Sequence, residues 1–291
     1  MVKKAIKKVF KGVSWQHPLF KIAVKIIDPL DYVARSLSGL AKLPPYSDRV
    51  VSNGVTRQFG GKGFHSFGKV LSKQLQTGAN LSPSSRVLEI GCGCGRTAIV
   101  LNKTLTNGHY TGMDIHKGSI DSCLKNKVFN KETFDFHHLD VQNNEYNSGG
   151  LNSAKDFDFP YDSGSFDIIF MVSVFTHMLT DDVKNYIKEI ARMTSPGGTC
   201  MVTTFILDSD KEMYRMKFPH KDQEHFYYNQ NLPEEAIAYT LGFFEHQFGS
   251  HNMSLKGEPS WGSWRGNTQT SSDTGFSQDI LFFKKPKINT Q

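Results

Sequence analysis

Residues 87–98 carry the stretch that decides the fold, Val-Leu-Glu-Ile-Gly-Cys-Gly-Cys-Gly-Arg-Thr-Ala. Its first four residues are typical of a buried strand, residues 91–95 of a tight glycine turn, and we expect a helix to begin near Arg96. Glycine suits such a turn because it adopts positive φ angles and lets the backbone approach a ligand closely. The N–H groups at the helix start then face that ligand. The stretch therefore predicts a ligand-binding strand–turn–helix unit.

The position of the glycines leaves two kinds of ligand open. Gly93, Gly95 and Ala98 match the G-x-G-x-x-A pattern of dinucleotide-binding proteins, in which a pyrophosphate lies on the helix N-terminus. Gly91 comes earlier, however, and Glu89 lies at the strand end two residues before it. A carboxylate there repels a pyrophosphate and attracts a cation. The pattern therefore favours a ligand with an ammonium group, such as S-adenosylmethionine, over NAD.

Strand-like and helical segments alternate along the rest of the chain. Residues 181–193 have apolar side chains at helical spacing, and we expect a second helix over 233–241, followed by strands over 243–248 and 280–284. Five further strand-like runs cover residues 86–90, 110–115, 133–139, 166–174 and 199–206. An alternating order predicts a doubly wound α/β sheet whose ligand lies beyond the carboxyl ends of the strands.

Five motifs in this order resemble those of the class I S-adenosylmethionine-dependent methyltransferases. Residues 89–95 (EIGCGCG) are similar to the first motif of that family, and Asp114 in Gly-Met-Asp-Ile follows the second strand. Asp140 in His-Leu-Asp-Val follows the third strand. Residues 160–167 (PYDSGSFD) and 195–198 (SPGG) resemble the approach to the fourth strand and the turn before the fifth. The resemblance covers about residues 82–206.

The resemblance implies S-adenosyl-L-methionine as the cofactor and a seven-stranded Rossmann-like sheet, mostly parallel, with one antiparallel strand near the C-terminus. It implies that Asp114 holds both ribose hydroxyls, since an ionised carboxylate can accept two hydrogen bonds from a vicinal diol. It also implies that Asp140 binds the adenine amino group. The expected cofactor-binding residues are Glu89, Gly91, Cys92, Gly93, Gly95, Asp114, Ile115, Asp140 and Val141.

His177, in the segment Val-Phe-Thr-His-Met at 174–178, follows the fourth strand. An imidazole near the rim of the ligand pocket can deprotonate an acceptor hydroxyl. The alternative is a structural role, in which His177 caps a helix or orders the pocket wall. We keep it as the candidate general base.

A late loop, residues 258–266, contains two tryptophans and an arginine among glycines. Trp261, Trp264 and Arg265 offer flat apolar faces and a fork of hydrogen-bond donors, which suit a sugar or another ring. The alternative is a packed loop between strands. We expect substrate-capping insertions at about residues 207–232 and 249–277.

The four cysteines are few and irregularly spaced, which favours a reducing compartment and a cytoplasmic location. Cys92 and Cys94 would supply only two ligands without a second nearby pair, so we expect no metal site. No stretch approaches the ~18–20 uncharged apolar residues that span a bilayer.

Positive charge is concentrated near the N-terminus. Residues 1–43 hold nine Lys or Arg against two Asp, a net charge of +7, whereas the remainder has a net charge of −1. We therefore expect no nucleic-acid groove on the body. Residues 1–45 form a predicted basic helical arm, in which 2–13 and 19–27 are amphipathic, and 46–291 form the methyltransferase domain. Residues 1–27 either contact an anionic membrane surface or pack on the domain with solvated lysines.

Together these observations predict methyl transfer from S-adenosylmethionine, most readily to an oxygen of a small molecule or saccharide. Two alternatives stay open: an NAD-type oxidoreductase, and a non-catalytic module that binds the cofactor while tethered to a membrane surface.

Overall fold

The computed structural model describes residues 18–53, 58–144, 146–208, 214–266 and 276–287. The helices are α1 (Pro18–Leu37), α2 (Tyr46–Asn53), α3 (Lys62–Gly78), α4 (Arg96–Leu101), α5 (Lys117–Lys125), α6 (Thr180–Met193) and α7 (Leu241–Gly249). The strands are β1 (Arg86–Ile90), β2 (His109–Asp114), β3 (Phe134–His138), β4 (Phe166–Val172), β5 (Thr194–Ile206), β6 (His220–Lys221), β7 (Phe226–Tyr227), β8 (Ile237–Tyr239), β9 (Ser254–Leu255) and β10 (Asp279–Lys284). Short 3-10 helices cover Ala154–Asp156, Phe175–His177, Pro233–Glu235 and Ser263–Arg265.

Seven strands form a sheet in the order β3-β2-β1-β4-β5-β10-β9. The pairings among β1 to β5 are parallel, whereas β10 runs antiparallel to both β5 and β9. This confirms the predicted doubly wound, mostly parallel α/β sheet with one antiparallel strand near the C-terminus. The predicted start of β5 is wrong by five residues, since the strand begins at Thr194 and includes the turn sequence 195–198.

Helices cover both faces of the sheet, so its strands are apolar on both sides. Val87 packs into the cluster formed with α3, α4 and α5, whereas its neighbour Leu88 packs into the cluster formed with α6 and α7. Successive side chains of a strand point to opposite faces. A near-continuous apolar run is therefore what a strand buried on both faces requires.

A second, antiparallel group of strands extends the sheet beyond the carboxyl end of β5. There, β8 pairs with residues 205–206 of β5, β7 pairs with β8, and β6 pairs with β7. These strands bring the total in the described part of the chain to ten, three more than predicted. Of these strands, β6 and β7 lie within residues 207–232, where we predicted the first cap.

The predicted order of elements between residues 233 and 248 is wrong. The segment contains the strand β8 followed by the helix α7, not a helix followed by a strand. Phe244 and Phe248 lie four residues apart on the buried face of α7, and the Thr240 side chain caps its N-terminus by accepting a hydrogen bond from the Phe243 N–H at 3.1 Å. Ile237 is fully buried in β8, as in a central strand.

The N-terminal helix is also longer than the predicted segment 19–27. It continues through Pro29 to Leu37, and Pro29 costs it one backbone hydrogen bond. Tertiary contacts of α1, described below, compensate for the loss of this hydrogen bond. The predicted helix over 2–13 lies outside the described residues. No described helix is long and apolar enough to cross a membrane.

Candidate active site

Two adjoining cavities lie at the carboxyl ends of β1, β2 and β4, where the strand order of the sheet reverses. The first, of about 160 Å³, is lined by residues that include Asp114, Ile115, Leu139, Val141 and Met178. The second, of about 420 Å³, is lined by residues that include Glu89, Gly93, Phe67, Phe205, Met216 and Gln278. Both cavities are lined by Gly91, Val172, Ser173 and His177. In doubly wound sheets this reversal point is where ligands bind.

The glycine turn 91–95 separates the two cavities and is held against the end of β2. The N–H groups of Gly91 and Cys92 both donate to the Met113 carbonyl, at 2.7 and 2.9 Å. Gly91 has a φ of 81°, and a Cβ atom there would lie 2.5 Å from the Val174 side chain. Only glycine fits this position without displacing the wall that follows β4.

Asp114 connects the glycine turn to the start of the next helix. Its Oδ2 accepts a hydrogen bond from the Gly93 N–H and its Oδ1 accepts one from the His116 N–H, both at 2.7 Å. Burial raises the pKa of the Asp114 carboxyl, and the two backbone N–H groups oppose that rise. The carboxylate therefore stands in a fixed orientation on the wall of the first cavity. There it is suited to accept hydrogen bonds from a pair of hydroxyls.

Glu89 lies across the glycine turn and lines the second cavity. It is buried, its Oε1 accepts a hydrogen bond from the Thr97 hydroxyl at 3.1 Å, and its Oε2 accepts one from the Tyr110 hydroxyl. Burial raises the pKa of Glu89 to about 8, against the two hydrogen bonds that lower it. Without a ligand this carboxyl is therefore mostly protonated near pH 7. A cationic ligand in the second cavity would stabilise the ionised form.

The remaining expected cofactor residues differ in whether they line a cavity. Ile115 and Val141 line the first cavity, and Cys92 lines the second. Gly95 adopts a φ of 83° immediately before α4, which begins at Arg96 as expected. Asp140 lines neither cavity, and its Oδ1 accepts a hydrogen bond from the Leu151 N–H at 3.4 Å. Its neighbours Leu139 and Val141 form the apolar wall instead.

His177 ends the 3-10 helix after β4 and lines both cavities. Its Nδ1 donates a hydrogen bond to the Glu234 carbonyl oxygen at 2.8 Å. Since a carbonyl oxygen only accepts, this contact places the proton of the neutral ring on Nδ1 and the lone pair on Nε2. The ring also meets Tyr146 edge to face. In this tautomer the neutral ring can accept a proton at Nε2.

Sequence reasoning missed a polar group on the opposite wall of the second cavity. The Gln278 Oε1 accepts hydrogen bonds from the hydroxyls of Ser173 and Thr203, at 2.8 and 2.7 Å. Ser173 has a φ of 61°, which is unusual for a residue other than glycine. Its N–H donates to the Thr203 hydroxyl at 2.9 Å. The signal in the sequence was the position of Ser173 directly after an apolar strand.

The three expected substrate residues hold the fold instead of lining a cavity. The Trp264 indole N–H donates to Asp279 at 2.9 Å, and the Arg265 Nε donates to the other oxygen of Asp279 at 3.0 Å. Arg265 also donates to the Ile206 carbonyl at 2.7 Å and stacks over Trp261 at 4.0 Å. Neither cavity is lined by Trp261, Trp264 or Arg265. They fix the start of β10, next to Gln278.

In the described part of the chain, no group of three or more His, Cys, Asp or Glu side chains could hold a metal ion. Cys92 and Cys94 are both buried free thiols, and burial raises the pKa of each well above its ordinary value. Their small side chains pack within the glycine turn.

Residues 88–200 match a protein family described as a methyltransferase domain. The phthiotriol/phenolphthiotriol dimycocerosates methyltransferase 1 of Mycobacterium ulcerans (strain Agy99) is 29% identical over 118 residues, which cover 40% of this chain and 36% of that protein. The fatty-acid O-methyltransferase of Mycolicibacterium smegmatis is 30% identical over 118 residues, with the same two coverages of 40% and 36%. The chain therefore spans about a third of the length of these relatives.

Among solved structures, the fold is similar to that of a methyltransferase in complex with the Haloferax volcanii Trm112 methyltransferase activator. The TM-score is 0.52 at 14% sequence identity, and the likeness covers 79% of this chain and 94% of that one. At this identity the likeness concerns the fold alone.

Proposed function

Because this chain belongs to the class I S-adenosylmethionine-dependent methyltransferases, we propose that it transfers the methyl group of that cofactor to an oxygen of a small, largely apolar acceptor. One observation carries the proposal. Two carboxyl groups lie on either side of one glycine turn. Asp114 is fixed in position to accept hydrogen bonds from a pair of hydroxyls, and Glu89 is suited to bind an ammonium group.

The described residues fit the cofactor in three places. The apolar wall formed by Ile115, Leu139 and Val141 suits a flat ring, and Asp114 stands beside it for the ribose. Glu89 lies beyond Gly91, where the ammonium end would reach. When bound, the cofactor supplies an activated methyl group on a cationic sulfur. The protein then has to position the acceptor and remove its proton.

His177 stands where such a proton would be removed. It lines both cavities, so its ring borders the junction at which the methyl donor and an acceptor would meet. The Glu234 carbonyl holds the Nδ1 proton, which leaves the lone pair of the neutral ring on Nε2. We assign His177 the role of general base toward an acceptor hydroxyl or carboxyl.

We propose an apolar acceptor for the second cavity, whose lining is mixed. Phe67, Phe205 and Met216 contribute apolar side chains, whereas Arg96, Glu235 and Gln278 contribute polar groups. The residues that suggested a sugar, Trp264 and Arg265, use their donors within the fold. The names of the two relatives refer to phthiotriol dimycocerosates and to fatty acids, which are lipid acceptors. The amide of Gln278 would orient the acceptor oxygen in this proposal.

Thermal unfolding with S-adenosylhomocysteine, and in parallel with NAD, tests the cofactor. A ligand at 100 times its dissociation constant adds about 2.7 kcal/mol of stability, which raises the unfolding midpoint of a chain of this length by about 4–5 °C. We expect this rise with S-adenosylhomocysteine alone. A rise with NAD alone would overturn the proposal in favour of an oxidoreductase.

Transfer of a labelled methyl group from S-adenosylmethionine then tests the acceptor. We expect label on medium- and long-chain fatty acids or fatty alcohols and none on mono- and disaccharides. Label on saccharides alone would refute the apolar acceptor while keeping the methyltransferase. Cofactor binding without any transfer would instead support a non-catalytic module.

A further inference from the structure

The outer face of α1 is apolar and exposed to solvent. Six large apolar side chains, each between 56% and 86% exposed, follow one another along it: Leu19, Ile22, Ile26, Leu30, Val33 and Leu37. At 100° per residue they fall within about 80° of the helix circumference and extend over about 27 Å. We call this set the α1 stripe. A contiguous exposed apolar surface of this kind marks an interaction site.

The opposite face of α1 is fixed to the body of the protein. Phe20 and Val24 pack into a small apolar cluster with α2. Asp31 is fully buried and accepts hydrogen bonds from the Arg35 Nε at 2.7 Å and from an Arg49 nitrogen at 2.6 Å. Removing one partner of such a buried ion pair is costly. The helix therefore cannot rotate to hide the α1 stripe.

The charged residues among the first 27 of the sequence are all basic. That segment contains seven lysines and no Asp or Glu. Two of them, Lys21 and Lys25, are exposed along one flank of α1. The first acidic residue, Asp28, accepts hydrogen bonds from the N–H and the hydroxyl of Ser47 and so faces the body.

An apolar stripe flanked by lysines complements a surface that is apolar inside and negatively charged at its rim. A second copy of this chain would bring the same positive charge to the contact. We propose that the α1 stripe and its flanking lysines bind the surface of an anionic phospholipid bilayer, with α1 lying in the plane of that surface.

Contacts through α2 and α5 join α1 to the first cavity. Phe20 and Val24 of α1 pack against α2, and the Ser122 hydroxyl of α5 donates a hydrogen bond to Asp48 of α2 at 2.6 Å. His116 caps the N-terminus of α5. His116 lines the first cavity. Docking through α1 would therefore hold the candidate active site near the lipid surface. The docking itself is independent of the methyl transfer proposed above.

Co-sedimentation of the full chain with vesicles tests the docking. We compare vesicles of phosphatidylcholine alone with vesicles that also contain phosphatidylglycerol. The test variant is Ile26→Ser with Leu30→Ser, which keeps the charge. Its matched control is Leu151→Ser, since Leu151 is 87% exposed and belongs to no described helix or strand. Both variants are compatible with folding because the three altered residues are exposed, and thermal unfolding verifies this.

We expect the unaltered chain and Leu151→Ser to bind the anionic vesicles, less so at high salt, and the double variant to lose at least about tenfold in partitioning. Three results would overturn the proposal: no binding by the unaltered chain, equal loss in both variants, or full retention by the double variant. Light scattering that shows a dimer dissociated by the double variant, without vesicle binding, would instead assign the α1 stripe to a second copy. Binding of S-adenosylhomocysteine, measured on the same samples, separates these results from a failure of the proposed function.

Discussion

The first and second cavities adjoin but are built in different ways. In the first, the key contact joins Gly93, in the turn after β1, to Asp114 at the end of β2, which is 21 residues away in sequence. In the second, Ser173 and Gln278 are joined across 105 residues and Thr203 and Gln278 across 75. A contact between consecutive elements leaves a local sequence motif, whereas a contact between distant segments does not. The residues assigned to the cofactor (Asp114 and Glu89, the cofactor side) were therefore foreseen in more detail than those assigned to the acceptor (Ser173 and Gln278, the acceptor side).

We expect substitutions on the two sides to have different effects on cofactor binding and on turnover. Changes on the cofactor side should weaken binding of S-adenosylhomocysteine, whereas changes on the acceptor side should leave that binding intact and reduce turnover. The four substitutions below follow this division, from the largest expected effect to the smallest.

His177 borders both cavities, so His177→Gln tests whether methyl transfer takes place where the two cavities meet. We expect turnover to fall by about 10²–10⁴-fold, the usual contribution of a positioned general base, with binding of S-adenosylhomocysteine changed by only a small factor. Methyl-transfer rates and calorimetric titration measure the two quantities. The matched control is His246→Gln on the exposed face of α7. Unchanged turnover in His177→Gln would remove the base role and leave His177 as a wall residue.

Asp114 defines the cofactor side. Asp114→Ala removes two charge-assisted hydrogen bonds to the ligand, each worth about 1.5–3 kcal/mol, so the Kd for S-adenosylhomocysteine should rise at least about 100-fold. Titration calorimetry measures the Kd. Asp121→Ala serves as the control because Asp121 pairs only with Lys117 at the surface of α5 in the described contacts. Equal affinities in the two variants would contradict the assigned ribose site.

Glu89 should make the free energy of unfolding depend on pH. Burial raises its pKa to about 8 from an ordinary value of 4.5, so the folded protein keeps this proton over a range in which the unfolded chain has lost it. The resulting stability is fully present below pH 4.5 and is lost as the pH rises through about 8. Since one pKa unit corresponds to about 1.4 kcal/mol, the loss amounts to a few kcal/mol.

Urea unfolding of the cofactor-free protein across this pH range measures the effect of Glu89. Stability should fall as pH rises in the unaltered chain, and Glu89→Gln should flatten that dependence. Glu245→Gln, on an exposed position of α7, should leave it unchanged. The same slope in the unaltered chain and in Glu89→Gln would show that other groups cause the dependence.

Gln278 represents the acceptor side. Gln278→Leu removes the acceptor of two hydroxyls and the amide donors that we assign to the substrate, so kcat/KM for the acceptor should fall about tenfold. Binding of S-adenosylhomocysteine should not change. Gln223→Leu, at an exposed position, is the control. A loss of cofactor binding equal to the loss in kcat/KM would place Gln278 on the cofactor side instead.

Prediction from sequence succeeded where a segment has one stable environment. The apolar runs in β1, β2 and β4 fit only a strand covered on both faces, and all three were predicted close to their observed limits. Residues 233–248 were assigned in the wrong order because short apolar segments fit a strand or a helix equally well by periodicity. Pairing of Ile237 with Tyr227, and of Ala238 with Phe205 and Phe226, made β8 a strand.

The candidate active site shows the same limit of prediction from sequence. Trp264 and Arg265 have the composition of a substrate wall, but the buried carboxylate of Asp279 takes their donors. No pattern around residue 264 reveals that partner, which lies 15 residues further along the chain. Ser173 and Gln278 are unremarkable as single residues and acquire meaning only because the ends of β4 and β5 lie beside the start of β10.

The sequence by itself determined the α/β class, the glycine turn and the positions of Glu89 and Asp114, because these depend on contacts between neighbouring elements and on residue types with few alternatives. The tertiary structure alone decided which polar groups line the second cavity, which bind one another, and which face of α1 remains exposed. Hydrogen bonds and burial depend on the distance between groups in space, and for segments 75 or 105 residues apart only the folded chain sets that distance.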